Sequence, residues 1–123
     1  MDKPEEILGK IQKLIDRNYG YKFEAYSFVL AALHYTMMSL TNPRHISGQE
    51  FSEGLRRYAI DQFGPLARTV LEYWGVKETV DFGKIVFALV EVGLMRKTEE
   101  DTLDDFRNVY DFDSAFNNKM IFE

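Results

Sequence analysis

Leu94-Met95-Arg96-Lys97-Thr98-Glu99-Glu100-Asp101-Thr102-Leu103-Asp104-Asp105-Phe106-Arg107-Asn108-Val109-Tyr110-Asp111-Phe112 is the stretch on which the fold class turns. Two structures compete for it. As a β-hairpin, 94–98 and 106–112 pair around a charged turn at 99–104, with Phe106, Tyr110 and Phe112 on one face. As a helix, Thr102-Leu103-Asp104-Asp105 serves as a capping box, and Leu103, Phe106 and Tyr110 fall near helical spacing. The hairpin is the expectation. Placed after a helix pair and one more helix, it makes a winged-helix-like arrangement.

The chain before this stretch punctuates itself into pieces of helical length at 18–21, 41–47, 64–65, 75–79 and Gly93. A first helix runs from about Pro4, with Ile7, Ile11, Leu14 and Ile15 on one face and Lys3, Lys10, Lys13 and Arg17 on the wet side. A second, from about Phe23 to Leu40, is apolar around most of its circumference, as expected of a central element. Ser47-Gly48-Gln49-Glu50 is a capping box that starts a third helix, which Gly64 closes. Pro65 then opens a fourth carrying Leu66, Val70, Leu71 and Trp74. Thr79 is the expected cap of a fifth, with Asp81 in its first turn and Phe82, Ile85, Val86, Leu89 and Val92 inward. The predicted fold is mainly α: about five helices in one compact domain over 1–123, ending in an acidic segment, 98–123, that includes the hairpin.

Composition bounds the function. A chain of 123 residues with 46% hydrophobic and 15% aromatic content can bury a core without disulfides or a structural metal. It has no cysteine and only two histidines, His34 and His45, which removes thiol nucleophiles, Fe–S clusters and cysteine-based zinc sites. The net charge of −5 is uneven: 98–123 carries eight acids and two bases, leaving 1–97 near neutral. That is not a nucleic-acid footprint. Met1–Glu6 is charged where a signal peptide needs an apolar run, and the apolar stretch 26–40 is broken by Ser27, His34, Thr36 and Ser39. The expectation is a cytoplasmic protein with no membrane association.

The strings Arg44-His45-Ile46-Ser47-Gly48-Gln49-Glu50, 61–75 (DQFGPLARTVLEYWG), 81–87 (DFGKIVF) and Val109-Tyr110-Asp111-Phe112 resemble a family of small uncharacterised bacterial proteins, over about 21–116. The resemblance implies no activity, cofactor or residue role.

Several groups could carry chemistry. Arg44, His45 and Ser47 stand at a helix N-terminus, where free N–H groups favour an anion, although Glu50 competes for the same amides. His34, on the apolar second helix, reads as a hydrogen-bonded core histidine. Arg56, Arg57 and Arg68 on the helix pair, extended by Arg96 and Lys97, are the cations a DNA reader would use, but Glu99, Glu100 and Asp101 beside the last two would repel phosphate. Asp101, Asp104, Asp105, Asp111 and Asp113 lack the spacing of a calcium loop and read as an acidic edge for docking a basic partner. Tyr19 and Tyr21 flank a turn as an exposed aromatic pair, whereas Trp74 reads as core. With no phosphate-binding glycine loop and no nucleophile elbow, no catalytic residue, metal or cofactor is nominated.

The first expectation for function is therefore a non-enzymatic protein-interaction module using Tyr19, Tyr21, Asp101, Asp104 and Asp105, its partner a protein, a second copy of the chain included. The alternative is a winged-helix-like DNA-binding regulator using Arg56, Arg57, Arg68, Arg96 and Lys97. The third is a small ligand-binding or anion-binding protein or enzyme around Arg44, His45 and Ser47, which requires a concave pocket there.

Overall fold

The computed structural model describes residues 3–117. Five helices of seven or more residues form its body: α1 Pro4–Asp16, α2 Phe23–Met38, α3 Gly48–Phe63, α4 Ala67–Tyr73 and α5 Thr79–Glu91. A single 3-10 turn, Gly64–Leu66, joins α3 to α4, with Pro65 at its start. Another, Leu103–Phe106, and the four-residue α6, Phe112–Ala115, punctuate the C-terminal segment.

The central position expected of α2 is observed. It buries Ala25, Tyr26, Phe28, Val29, Ala32 and Thr36 against neighbours on several sides. α3 lies along it at close range, because Gly54 has no side chain where the Thr36 side chain sits: a Cβ there would meet Thr36 Oγ1 at 2.1 Å. Thr36 keeps its hydroxyl satisfied on the Ala32 carbonyl at 2.8 Å. α1 adds Ile11 and Leu14, α4 adds Ala67 and Leu71, and α5 adds Phe82, Ile85 and Leu89 to one hydrophobic cluster. Trp74 joins it at the α4 end, packed on Phe28 and Phe63 with ring centroids 5.6 and 5.5 Å away.

The expected hairpin is absent: no strand occurs among the described residues, and the winged-helix likeness goes with it. The segment 94–117 is a strap laid over α5 and α3. Its backbone N–H groups find local carboxylates instead of a partner strand. Thr98 N–H donates to Asp101 Oδ2 at 2.7 Å, and Thr102 N–H donates to Asp105 Oδ2 at 2.9 Å. Such Asp-centred turns compete with extended pairing. Asn108, with φ 50°, breaks any continuous extended run before Tyr110. The rival helix is also cut short, since the Thr102–Asp105 box opens only the single 3-10 turn.

Aromatic side chains anchor the strap one by one. Phe106 sits between two glycines on different helices. A Cβ on Gly83 of α5 would lie 2.8 Å from Phe106 Cβ, and one on Gly48 of α3 would lie 3.0 Å from Phe106 Cε2. Tyr110, Phe112 and Phe116 form a further aromatic group; Phe112 reaches Phe82 of α5. The Tyr110 hydroxyl donates to the Ser52 carbonyl at 2.6 Å, and burial pushes that phenol well above its ordinary value. Thr79 is not the cap of α5; Glu78 holds that position, and the buried Thr79 hydroxyl accepts the Val109 N–H of the strap at 3.2 Å.

Two glycines separate helix propensity from packing. Gly9 in α1 has open space around its missing Cβ, so Gly9→Ala gains about 0.5 to 1 kcal/mol. Gly83→Ala would gain the same propensity but must displace Phe106 and Leu103, and is expected to destabilise by about 1 to 3 kcal/mol. Chemical denaturation of both variants checks the opposite signs.

Candidate functional site

Three chain segments meet over a concave cavity of about 380 Å³: the loop between α2 and α3, the α5 end with the start of the strap, and the 3-10 turn carrying Phe106. Its apolar surface comes from Leu33 and Met37 of α2, Phe51 of α3, Val86 and Phe87 of α5, and Leu94, Met95 and Phe106. Its polar groups are Arg44, His45, Ser47, Arg96, Lys97 and Asp101. Thus the residues expected at an anion site and two of those expected on a DNA-binding face share one depression.

Ser47 and Glu50 form the expected capping box. The Ser47 hydroxyl accepts the Glu50 N–H at 3.1 Å, and the Glu50 carboxylate accepts the Ser47 N–H at 3.0 Å. Arg44 joins them as a fork, donating to the two Glu50 oxygens at 3.1 and 2.7 Å. Arg44, followed by the Ser47 N–H, draws the Glu50 carboxyl down to about 2. Arg44 and Ser47 are therefore engaged with the cap.

His45 Nε2 lies 2.9 Å from Asp101 Oδ1, joining the α2–α3 loop to the strap across 56 residues of sequence. Partial burial works to raise the Asp101 carboxyl, but the Thr98 N–H and the His45 ring outweigh it and hold it below its ordinary value. Among the described residues, the Arg96 side chain has neither ion pair nor hydrogen bond. Lys97 has no ion pair: its ammonium makes a long 3.4 Å contact with the Thr98 carbonyl and rests 5.8 Å over the Phe87 ring. Among the described residues, these two are the cations of the lining that no carboxylate pairs with.

The other expected site residues disperse. Arg56 donates to the Ala115 carbonyl at 3.0 Å and pairs with Glu53; Arg57, two-thirds exposed, lies 3.5 Å from the same glutamate. Arg68 pairs with Glu72 and with Asp113 of α6. None of the three lines the cavity of Arg96 and Lys97. Of the expected aromatic pair, Tyr19 is 48% exposed, whereas Tyr21 is half-buried and donates its hydroxyl to Asp81 at 2.6 Å. Asp104 pairs with Arg107 at 2.6 Å, Asp105 caps Thr102, and Asp111 caps α6. His34 is corrected from core to surface: it faces out from α2 beside Met38 and Tyr35.

Among the described residues, no group of three or more His, Asp or Glu side chains could hold a metal ion, and no helix is long and apolar enough to cross a membrane. No protein-family model, curated protein or solved structure matches the chain.

The low Glu50 value makes a pH prediction with a definite sign. A carboxyl depressed from 4.5 to about 2 contributes stability that is complete above pH 4.5 and is lost as pH falls through about 2. The melting-temperature gap between the parent and Glu50→Gln is therefore expected to be full at neutral pH, to shrink below 4.5 and to close near 2. Ser47→Ala, which removes the other half of the box, costs about 1 kcal/mol at neutral pH.

Proposed function

We propose that this protein binds a small amphipathic anion, a molecule with an apolar body and one carboxylate-like head, in the cavity beside His45. One observation carries the reading: an apolar depression of about 380 Å³ is lined by Arg96 and Lys97, two cations without a carboxylate partner among the described residues. Ligand sites are concave and mostly apolar, with a few convergent polar groups that set orientation. The apolar body lies against Phe51, Val86, Met95 and Phe106, and the head accepts hydrogen bonds from Arg96 and Lys97 at the mouth. His45, held by Asp101, offers its other ring nitrogen beside that head.

The reading as a protein-docking module draws less support from this geometry. Its positive argument was a row of free acids to steer a basic partner. Asp101, Asp104, Asp105 and Asp113 instead hold His45, Arg107, Thr102 and Arg68. The DNA-binding reading needed its five cations on one face, and Arg56, Arg57 and Arg68 stand apart from Arg96 and Lys97.

Octanoate and the fluorescent aryl sulfonate 1-anilinonaphthalene-8-sulfonate test the proposal. The expected result is saturable binding of the fluorophore at one site per chain and its displacement by octanoate. The double variant Arg96→Ala, Lys97→Ala should weaken octanoate about tenfold, equivalent to about 1.4 kcal/mol, while leaving the fold intact. Octanoate affinity unchanged in the double variant, or no binding of either probe, overturns it.

A further inference from the structure

A second cavity of about 470 Å³ is lined by Tyr19, Tyr21, Phe87, Ala88 and Leu103, together with Lys84 and Glu91. Phe87 is the side chain common to the two linings. Its ring is half-buried and carries the Lys97 ammonium 5.8 Å above it. Resting on that ring is a weak interaction for a cation that has no carboxylate, since a cation–π contact at an exposed site contributes little.

From this arrangement we infer that the ligand is a long unbranched acyl chain with an anionic head, its head at Arg96 and Lys97 and its tail passing Phe87 into the cavity beneath Tyr19 and Tyr21. The inference rests on reading the first cavity as the head-group site. An anion at the mouth draws Lys97 off the Phe87 ring toward itself, and the uncovered ring is the boundary the tail must cross. Head capture and tail entry are thereby coupled through one lysine. The walls on both sides are mostly apolar, so each methylene fully buried past Phe87 adds up to about fourfold in affinity. A short, rigid aryl acid would fill the first cavity alone and gain nothing from the second.

Charge complementarity sets the head at this end. Among the described residues Arg96 and Lys97 are two adjacent cations without ion pairs, whereas the second cavity has a single such cation, Lys84, beside the Glu91 carboxylate that holds Arg17. The exposed Tyr19 supplies an apolar ring with a polar edge at the far opening, which suits a tail end close to solvent.

The test compares octanoate with two stearates, one bearing a nitroxide on its fifth carbon and one on its sixteenth, by NMR on the isotope-labelled full chain at submicellar concentration. The expected result is broadening of Phe51 and Met95 by the first stearate, and of Tyr19, Tyr21 and Ala88 by the second. In addition, Ala88→Leu should reduce stearate affinity at least tenfold more than octanoate affinity. Thermal melting of that variant confirms its fold, and the nitroxide readout needs no variant at all. If octanoate binds through Arg96 and Lys97 but the distal nitroxide leaves Tyr19, Tyr21 and Ala88 sharp, the tail path is wrong and the first cavity's role survives. If neither octanoate nor stearate binds, the role proposed for the first cavity falls, and this inference with it.

Discussion

The seating of Phe106 between Gly48 and Gly83 is the constraint on which the rest of the molecule depends. The two glycines belong to α3 and α5, so one aromatic ring fixes the spacing of both helices and fastens the strap to them. Burying a phenylalanine contributes about 1.5 to 3 kcal/mol. The ion pairs that accompany the strap, Arg107 with Asp104 and Arg68 with Asp113, are solvent-exposed, and such pairs contribute about 0 to 1 kcal/mol each. Aromatic burial therefore holds the C-terminal segment in place, while its abundant charge acts locally. Tyr110, Phe112 and Phe116 repeat the same device further along, each ring finding its own place on the helical body.

That division of labour explains how much of the fold was legible in the sequence. The helices 4–16, 23–38, 48–63, 67–73 and 79–91 were announced by local signals: apolar spacing, Pro4, the Ser47 box, and Gly64, Gly75 and Gly93 at or just beyond helix ends. Each signal acts within a few residues of itself. The strap was misread because Phe106, Tyr110 and Phe112 are as compatible with one face of a strand as with separate anchoring points on a helical surface. Only the glycines that receive Phe106, 23 and 58 residues away, decide between them. Thr79 was misplaced for a related reason. A threonine before an apolar run resembles a cap, but its hydroxyl is taken by the Val109 N–H, a partner that only the folded strap supplies. His34 was placed inside because α2 is apolar on most sides; the outward stripe is narrow, and periodicity in so apolar a helix does not locate it.

The site was partly legible and for one physical reason. Arg44, His45 and Ser47 drew notice because a capped helix start gathers polar groups, and that start does border the cavity. The chemistry that opens into it comes from elsewhere. Arg96 and Lys97 stood out as cations and Asp101 as one of the acids, but nothing in the sequence joined them to one another, and Phe87 carried no signal beyond its place on α5. A cavity wall assembled from separate segments has no spacing in sequence, and an apolar residue that lines a cavity is written with the same letter as one that fills a core.

The charge pattern then takes a different meaning from the one its net value suggests. Asp101 and Asp105 accept backbone N–H groups within the strap's own turns, and Asp111 does so at the start of α6. These carboxylates substitute for the neighbouring strand that the segment lacks, so their number follows from the length of irregular backbone to be satisfied. Cations near such a segment would ordinarily be drawn into pairs with it, as Arg107 and Arg68 are. Among the described residues Arg96 and Lys97 make no such pair, and Asp101, which lines the same cavity, is engaged by Thr98 and His45. The His45–Asp101 contact thus does more than tie the α2–α3 loop to the strap. It also engages a carboxylate that shares the cavity lining with Arg96 and Lys97, and two cations unpaired among the described residues beside an apolar cavity are what the proposed anion requires.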